Sequence, residues 1–151
     1  MADSGPNHMN RHRMQHRSTR KTFKYLFLSL ALMFTFTISN AQEYALNDRI
    51  SLKPNEASEF DTATTIFLDV RTNKEWLNGH IKGAKHLPLK RFKADLESVI
   101  TDKNSPVIVY CASGGRAIAA SKYMNHLGYK AIPVIEGGFI QMLSAGMTAE
   151  K

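Results

Sequence analysis

Between residues 64 and 138 the chain alternates short apolar runs with amphipathic stretches, and that alternation predicts its elements. "TTIFLDV" (64–70) and "PVIVY" (106–110) are β-branched and aromatic runs of strand length, apolar on both faces, as buried parallel strands require. "KAIPVIEGG" returns as a third strand, and "AKHLPL" is a short extended piece ended by Pro88. Between them lie helical patterns. Thr72 is a candidate N-cap with Glu75 three residues on, the capping-box spacing, and Gly79 is its stop. Phe92, Leu96, Val99 and Ile100 share one helical face; Ala117, Ala120, Met124 and Leu127 share another, closed by Gly128. "FIQMLSA" predicts a last short helix before Gly146, while Ile50 and Ser51 predict a short strand and Pro54 opens a short helix through Phe60. Strands alternate with helices and no hairpin dipeptide joins them, so the expected fold class is α/β, a parallel sheet with helices on both faces.

Ligands of such sheets sit beyond the carboxyl ends of the strands. Three predicted strand ends carry polar or flexible residues there: Asp69 followed by Arg71, Cys111 followed by "ASGGR", and Glu136 followed by Gly137 and Gly138.

The first forty-one residues follow other rules. Residues 1–24 form a basic head with six Lys and Arg against Asp3, residues 25–38 ("YLFLSLALMFTFTI") form an uncharged apolar run, and Ser39 and Ala41 are small residues at alternate positions. A bilayer span needs about 20 residues, so the run fits a signal-peptide core better, with cleavage expected after Ala41. The expectation is therefore a signal peptide over 1–41, a single domain over 42–151, and export to the periplasm, with contact to a membrane only during export. An uncleaved anchor is the alternative, a mitochondrial presequence a weaker one, and Met9 or Met14 could be the true start. His8, His12 and His16 are read as solvated spacers, not a metal tract, and neither a metal nor a cofactor is expected.

Setting that segment aside changes the charge balance. It holds six of the twenty Lys and Arg and one of the thirteen acids, so the net charge falls from +7 to +2, and the basic character gives no case for nucleic-acid binding. Cys111 is the only cysteine, so no internal disulfide can form, and an unpaired thiol on an exported domain has to be explained by use.

The loop around it suits that use. A turn from a strand into a helix N-terminus points backbone N–H groups inward, and Gly114 and Gly115 let the chain curl without Cβ clashes. Such a nest, with the helix dipole, favours a thiolate over a thiol. Arg116 opposes the dipole at a helix start, which calls for a reason; holding a substrate oxyanion is the one expected.

"FLDVRTNKEWLNGHIKGAKHLPL" and "VIVYCASGGRAIAASKYMNHLGYKAIPVIEGG" together resemble the two signature blocks of the rhodanese, or sulfurtransferase, family: an Asp-x-Arg strand end, an acidic-aromatic pair before Gly-His-Ile, and a Cys loop closed by Arg. With an export signal and one domain, the chain looks most like the small periplasmic rhodaneses of the phage-shock type. The resemblance implies a three-layer α/β/α fold around a parallel sheet of about five strands. It also implies a ping-pong reaction in which Cys111 takes sulfur from thiosulfate or a similar small donor as a persulfide and passes it to cyanide, a thiol or a protein thiol partner. Ala112, Ser113, Gly114, Gly115 and Arg116 are then the substrate-binding loop, with Arg116 suited to sulfonate-like oxygens. Asp69 and Arg71 are expected to pair structurally near the rim, and His80 to serve as a structural hydrogen-bonder, since a thiolate ionised by its loop needs no base. His86 and His126 read as ordinary surface residues, and Trp76 as a hydrophobic anchor.

Met142 stands where the family often has Trp, and Thr148 where it has Pro, which bears on the packing of the last helix and tail. Two rivals remain at this level. A Cys-loop phosphatase or arsenate reductase would need five residues between Cys and Arg, and here there are four. A non-turnover persulfide carrier would need an exposed apolar rim, which Ile118, Phe139, Ile140 and Met142 could form.

Overall fold

The structure, a computed structural model, describes residues 49–151; the expected signal segment and its cleavage site lie outside the described residues. Four strands form the central sheet: β1 (Ile66–Asp69), β3 (Lys85–His86), β4 (Pro106–Tyr110) and β5 (Lys130–Pro133), in the order β3-β1-β4-β5 and all parallel. Phe67 pairs with Ile108 and Ile108 with Ile132, so β1 and β4 occupy the centre, as their uninterrupted apolar runs require. The helices are α1 (Pro54–Ala57), α2 (Asn73–Leu77), α3 (Phe92–Val99), α4 (Gly115–His126) and α5 (Phe139–Ser144).

Period-two alternation sorts the strand residues into two cores. Leu68, Val107, Val109 and Ala131 face α3 and α4, packing on Phe92, Leu96, Ala117, Ala120 and Met124. Phe67, Ile108, Tyr110 and Ile132 face the other way, onto Ala57, Phe139 and Met142 of α1 and α5. The result is the predicted three-layer α/β/α arrangement. Cys111, two residues after Val109, belongs to the α3/α4 side, where it is 1% exposed.

Two details differ from expectation. The fifth strand is reduced to an isolated parallel bridge at Leu52, whose N–H donates to Pro133 O (3.0 Å) and whose carbonyl accepts from Ile135 N (2.8 Å). Pro54 starts a helix two residues later and ends the pairing there, and Ile50 is exposed. The second is an antiparallel ribbon of β2 (His80–Ile81) and β6 (Ala149–Glu150), which ties the tail to the middle of the chain. Met142 is fully buried in the core beside Phe139, so a methionine fills the place where the resemblance led us to look for Trp.

Candidate active site

Cys111 follows the last residue of β4, and its loop is fixed from both sides. Its carbonyl accepts from Phe139 N (2.9 Å), and its Sγ accepts from Gly114 N (3.1 Å). Gly138 makes the first contact possible: a Cβ there would fall 2.1 Å from Cys111 O and 2.6 Å from the Ala112 carbonyl carbon and oxygen. Gly114 makes the second possible, at φ +96° and with Ile135 Cα 3.2 Å from where its Cβ would be. Gly115 has neither constraint, because it is a helical residue with open space where a Cβ would lie, so only one of the two glycines is needed for the curl. Ala112 and Ser113 are exposed, and among the described residues the Gly114 N–H is the one backbone donor hydrogen-bonded to Sγ. At the resting sulfur, the amides of the expected ring contribute this one N–H.

Arg116 lies in the first turn of α4, and its cost against the helix dipole is offset by a carboxylate. Nη1 and Nη2 donate to Glu75 Oε2 and Oε1 at 2.8 and 2.7 Å, a bidentate pair between side chains about one-third exposed. Glu75 is itself fixed as the capping box of α2: its Oε2 accepts from Thr72 N (2.9 Å) and Thr72 Oγ1 (2.7 Å), while Thr72 Oγ1 accepts from Glu75 N. The guanidinium, with help from the Thr72 donors, holds the Glu75 carboxyl far below the usual carboxylate range. Reciprocally, the hydrogen bonds and charge of Glu75 first, and those of the Cys111 sulfur to a lesser extent, raise the Arg116 pKa, so the cation beside the sulfur stays charged.

Asp69 and Arg71 form a buried pair as expected. Arg71 Nε donates to Asp69 Oδ2 (2.8 Å), and Nη2 donates to Oδ2 (2.6 Å) and to Gly79 O (2.8 Å). The guanidinium carbon lies 3.9 Å from the centroid of the Phe139 ring. Every contact is internal, which ties β1 to α5 and to the turn before β2. The His80 ring stacks on Trp76 with centroids 3.4 Å apart, Nδ1 lies 3.3 Å from Trp76 O, and Nε2 lies 3.6 Å from Glu150. His86 also stacks on Trp76 (4.5 Å) and meets Arg71 O through Nε2 (3.0 Å), so it joins this structural group instead of being an ordinary surface residue. Glu136, on the third strand end, pairs with Lys53 at 2.9 Å.

A cavity of about 400 Å³ opens on the same rim, reached by Arg116, Thr72 and Asn73 on one side and by Leu89, Lys90 and Arg91 on the other. The apolar rim expected for a carrier is smaller than the sequence suggested: Ile118 and Ile140 are exposed, but Phe139 and Met142 are buried in the second core. No group of three His, Cys, Asp or Glu that could hold a metal occurs among the described residues.

Sequence reasoning missed two residues of this site. Glu75 was legible as a cap, yet its second partner lies 41 positions away. Gly138 was seen only as part of a flexible pair, whereas its role is the close approach to Cys111.

The family model of the rhodanese-like domain matches residues 54–145. Among curated proteins, the tRNA uridine(34) hydroxylase of Pectobacterium atrosepticum is 33% identical over 113 residues, covering 71% of this chain and 30% of that protein. Its counterpart in Yersinia enterocolitica is 31% identical over 111 residues, with the same coverage. The chain therefore spans about 30% of the length of these relatives. Among solved structures, a rhodanese-like domain protein from Staphylococcus aureus aligns at TM-score 0.58 with 27% identity, over 68% of this chain and 100% of that one. A rhodanese with anions from E. coli aligns at TM-score 0.50 with 29% identity, over 58% and 98%. A rhodanese-related protein from Thermoplasma volcanium, at TM-score 0.59 and 22% identity over 68% and 98%, shares the fold.

Proposed function

We propose, from the premise that the chain belongs to the rhodanese-like domain family, that it moves a sulfane sulfur from thiosulfate or a similar donor, through a persulfide on Cys111, to cyanide or a thiol. Sulfurtransferase-type chemistry comes with the family; the donor, the acceptor and the residue roles are the proposal. The observation that carries it is the setting of the lone thiol: Cys111 ends the central strand with the Gly114 N–H on its sulfur, and Arg116 is fixed beside it by Glu75.

In the first half-reaction the Cys111 thiolate attacks the outer sulfur of thiosulfate. The S–S bond breaks and its electron pair leaves with sulfite, so cysteine gains one sulfur and no external oxidant is needed. Two N–H bonds of Arg116 are taken by Glu75, and a guanidinium has five, so the rest remain for the cysteine sulfur and for sulfonate oxygens. The Gly114 N–H is the fixed dipole next to the sulfur that becomes charged. In the second half-reaction the acceptor attacks the outer sulfur and the cysteine thiolate leaves.

The long curated relatives are named for hydroxylation of a tRNA uridine, and this chain matches about 30% of their length. The reading takes the domain from them and leaves that reaction with the whole proteins. It retains export with removal of residues 1–41 as part of the proposal. Thiocyanate formation from thiosulfate and cyanide by the full chain is the test. Turnover by wild type and none by Cys111→Ser supports the reading. A persulfide detected by mass without turnover moves it to a carrier, and turnover surviving Cys111→Ser overturns both.

A further inference from the structure

The cavity beside Arg116 is larger than the small reactants named so far require. Its volume of about 400 Å³ lies within the roughly 300–1,000 Å³ of sites that enclose organic ligands. At about 30 Å³ per liquid water it has room for on the order of a dozen waters. Thiosulfate or cyanide would leave most of it empty.

Its walls have a definite chemistry. Val70, Pro88 and Leu89 form an apolar side, and Lys90, Arg91 and Arg116 bring three cations, with no carboxylate in the lining. Two of these cations are already engaged, Arg91 with Asp95 (2.6 Å) and Arg116 with Glu75 (2.7 Å). Lys90 makes no ion pair among the described residues and is exposed. Of the cysteine loop, Arg116 lines the cavity, and Val70 on its wall belongs to the same core cluster as Cys111.

We propose that this cavity seats the sulfur acceptor, a small thiol whose carbon body carries a carboxylate, and that Lys90 selects it by pairing with that carboxylate. The carbon body lies along Val70, Pro88 and Leu89, and the thiol is directed toward the Arg116 end. The acceptor thiolate attacks the outer sulfur of the Cys111 persulfide, and the S–S bond breaks with its electron pair returning to the cysteine sulfur. The acceptor leaves as a persulfide, and no net oxidation occurs. The transfer step rests on the sulfurtransferase reading, whereas the binding site does not.

Two measurements separate them. S-methylglutathione has carboxylates and no free thiol, so it binds without reacting; titrated into the resting protein, it is expected to shift the backbone amide resonances of Val70 and of residues 89–91. Lys90→Glu is expected to weaken that binding on the order of tenfold, and Lys90→Ala severalfold, as for loss or reversal of a charge-assisted contact. The second measurement is discharge of the Cys111 persulfide to glutathione relative to 2-mercaptoethanol, a ratio expected to fall on the order of tenfold in Lys90→Glu. Equal binding by wild type and both variants, or shifts confined to another face, overturns the assignment of the cavity. Binding that depends on Lys90 in a protein that never forms a persulfide keeps the site and overturns the sulfurtransferase reading. Persulfide discharge with the same acceptor ratio in Lys90→Glu keeps that reading and overturns Lys90 as the selecting residue.

Discussion

Replacing Glu75 separates two elements at one side chain. In wild type its carboxylate accepts two hydrogen bonds from Arg116 and two from Thr72, so Glu75→Ala removes the ion pair and the side-chain half of the capping box, while the backbone N–H of residue 75 stays on Thr72 Oγ1. An ion pair open to solvent contributes about 0.2–1 kcal/mol, and this one, about one-third exposed and bidentate, belongs at the upper end. The two hydrogen bonds that the carboxylate accepts from Thr72 add about 1 kcal/mol. The negative charge of Glu75 in the first turn of α2 also favours that helix's dipole, and its loss has a further cost of about 0.3–1 kcal/mol. Glu75→Ala is therefore expected to lose about 2–3 kcal/mol in urea denaturation at pH 7, and Glu75→Gln, which keeps one acceptor oxygen, about half of that.

The pH dependence has a definite sign. Arg116 depresses the folded pKa of Glu75 below its unfolded value of about 4.3, so the contribution is complete above that pH and fades as the pH falls through the lower folded value. The gap between wild type and Glu75→Gln should stay constant from pH 7 to about pH 5 and narrow below about pH 4. A Glu75→Ala protein within about 0.5 kcal/mol of wild type at pH 7, or a gap that widens in acid, would refute the pairing as the source of stability.

Other perturbations follow from the same contacts. Arg116→Ala should raise the thiosulfate KM on the order of tenfold while slowing discharge to a small thiol far less; steady-state kinetics with each substrate varied in turn would show it, and an unchanged donor dependence would count against Arg116 as the donor site. Gly138→Ala places a methyl group 2.1 Å from Cys111 O, so the α5 loop must move away from the cysteine loop, at a cost of about 3 kcal/mol or more in thermal denaturation. Met142→Ala empties a fully buried position and should cost about 2–5 kcal/mol by the same assay.

What the sequence could show depended on how far apart the interacting parts lie along the chain. β4, the turn at Cys111 and α4 are contiguous, so an apolar run, a glycine and a helical repeat revealed them directly. The capping box at Thr72 and Glu75 is equally local. The pairing of Glu75 with Arg116 is not, because it depends on β1 and β4 lying side by side, which brings the segments that follow them to one rim. The β2–β6 ribbon has two residues per strand, too few for any periodicity, and joins segments about 70 positions apart in the chain. Gly138 and Gly115 look alike as letters. Only the packing of the α5 loop against Cys111 shows which of them a side chain would disrupt.

A sulfane sulfur carried on Cys111 is detected by intact mass spectrometry of the full chain after treatment with thiosulfate. Wild type is expected to gain about 32 Da, removed by a thiol and mapped to Cys111, and Cys111→Ser to show no such adduct. Wild-type protein that stays unmodified in thiosulfate, or an adduct that persists on Cys111→Ser, would contradict a persulfide on Cys111.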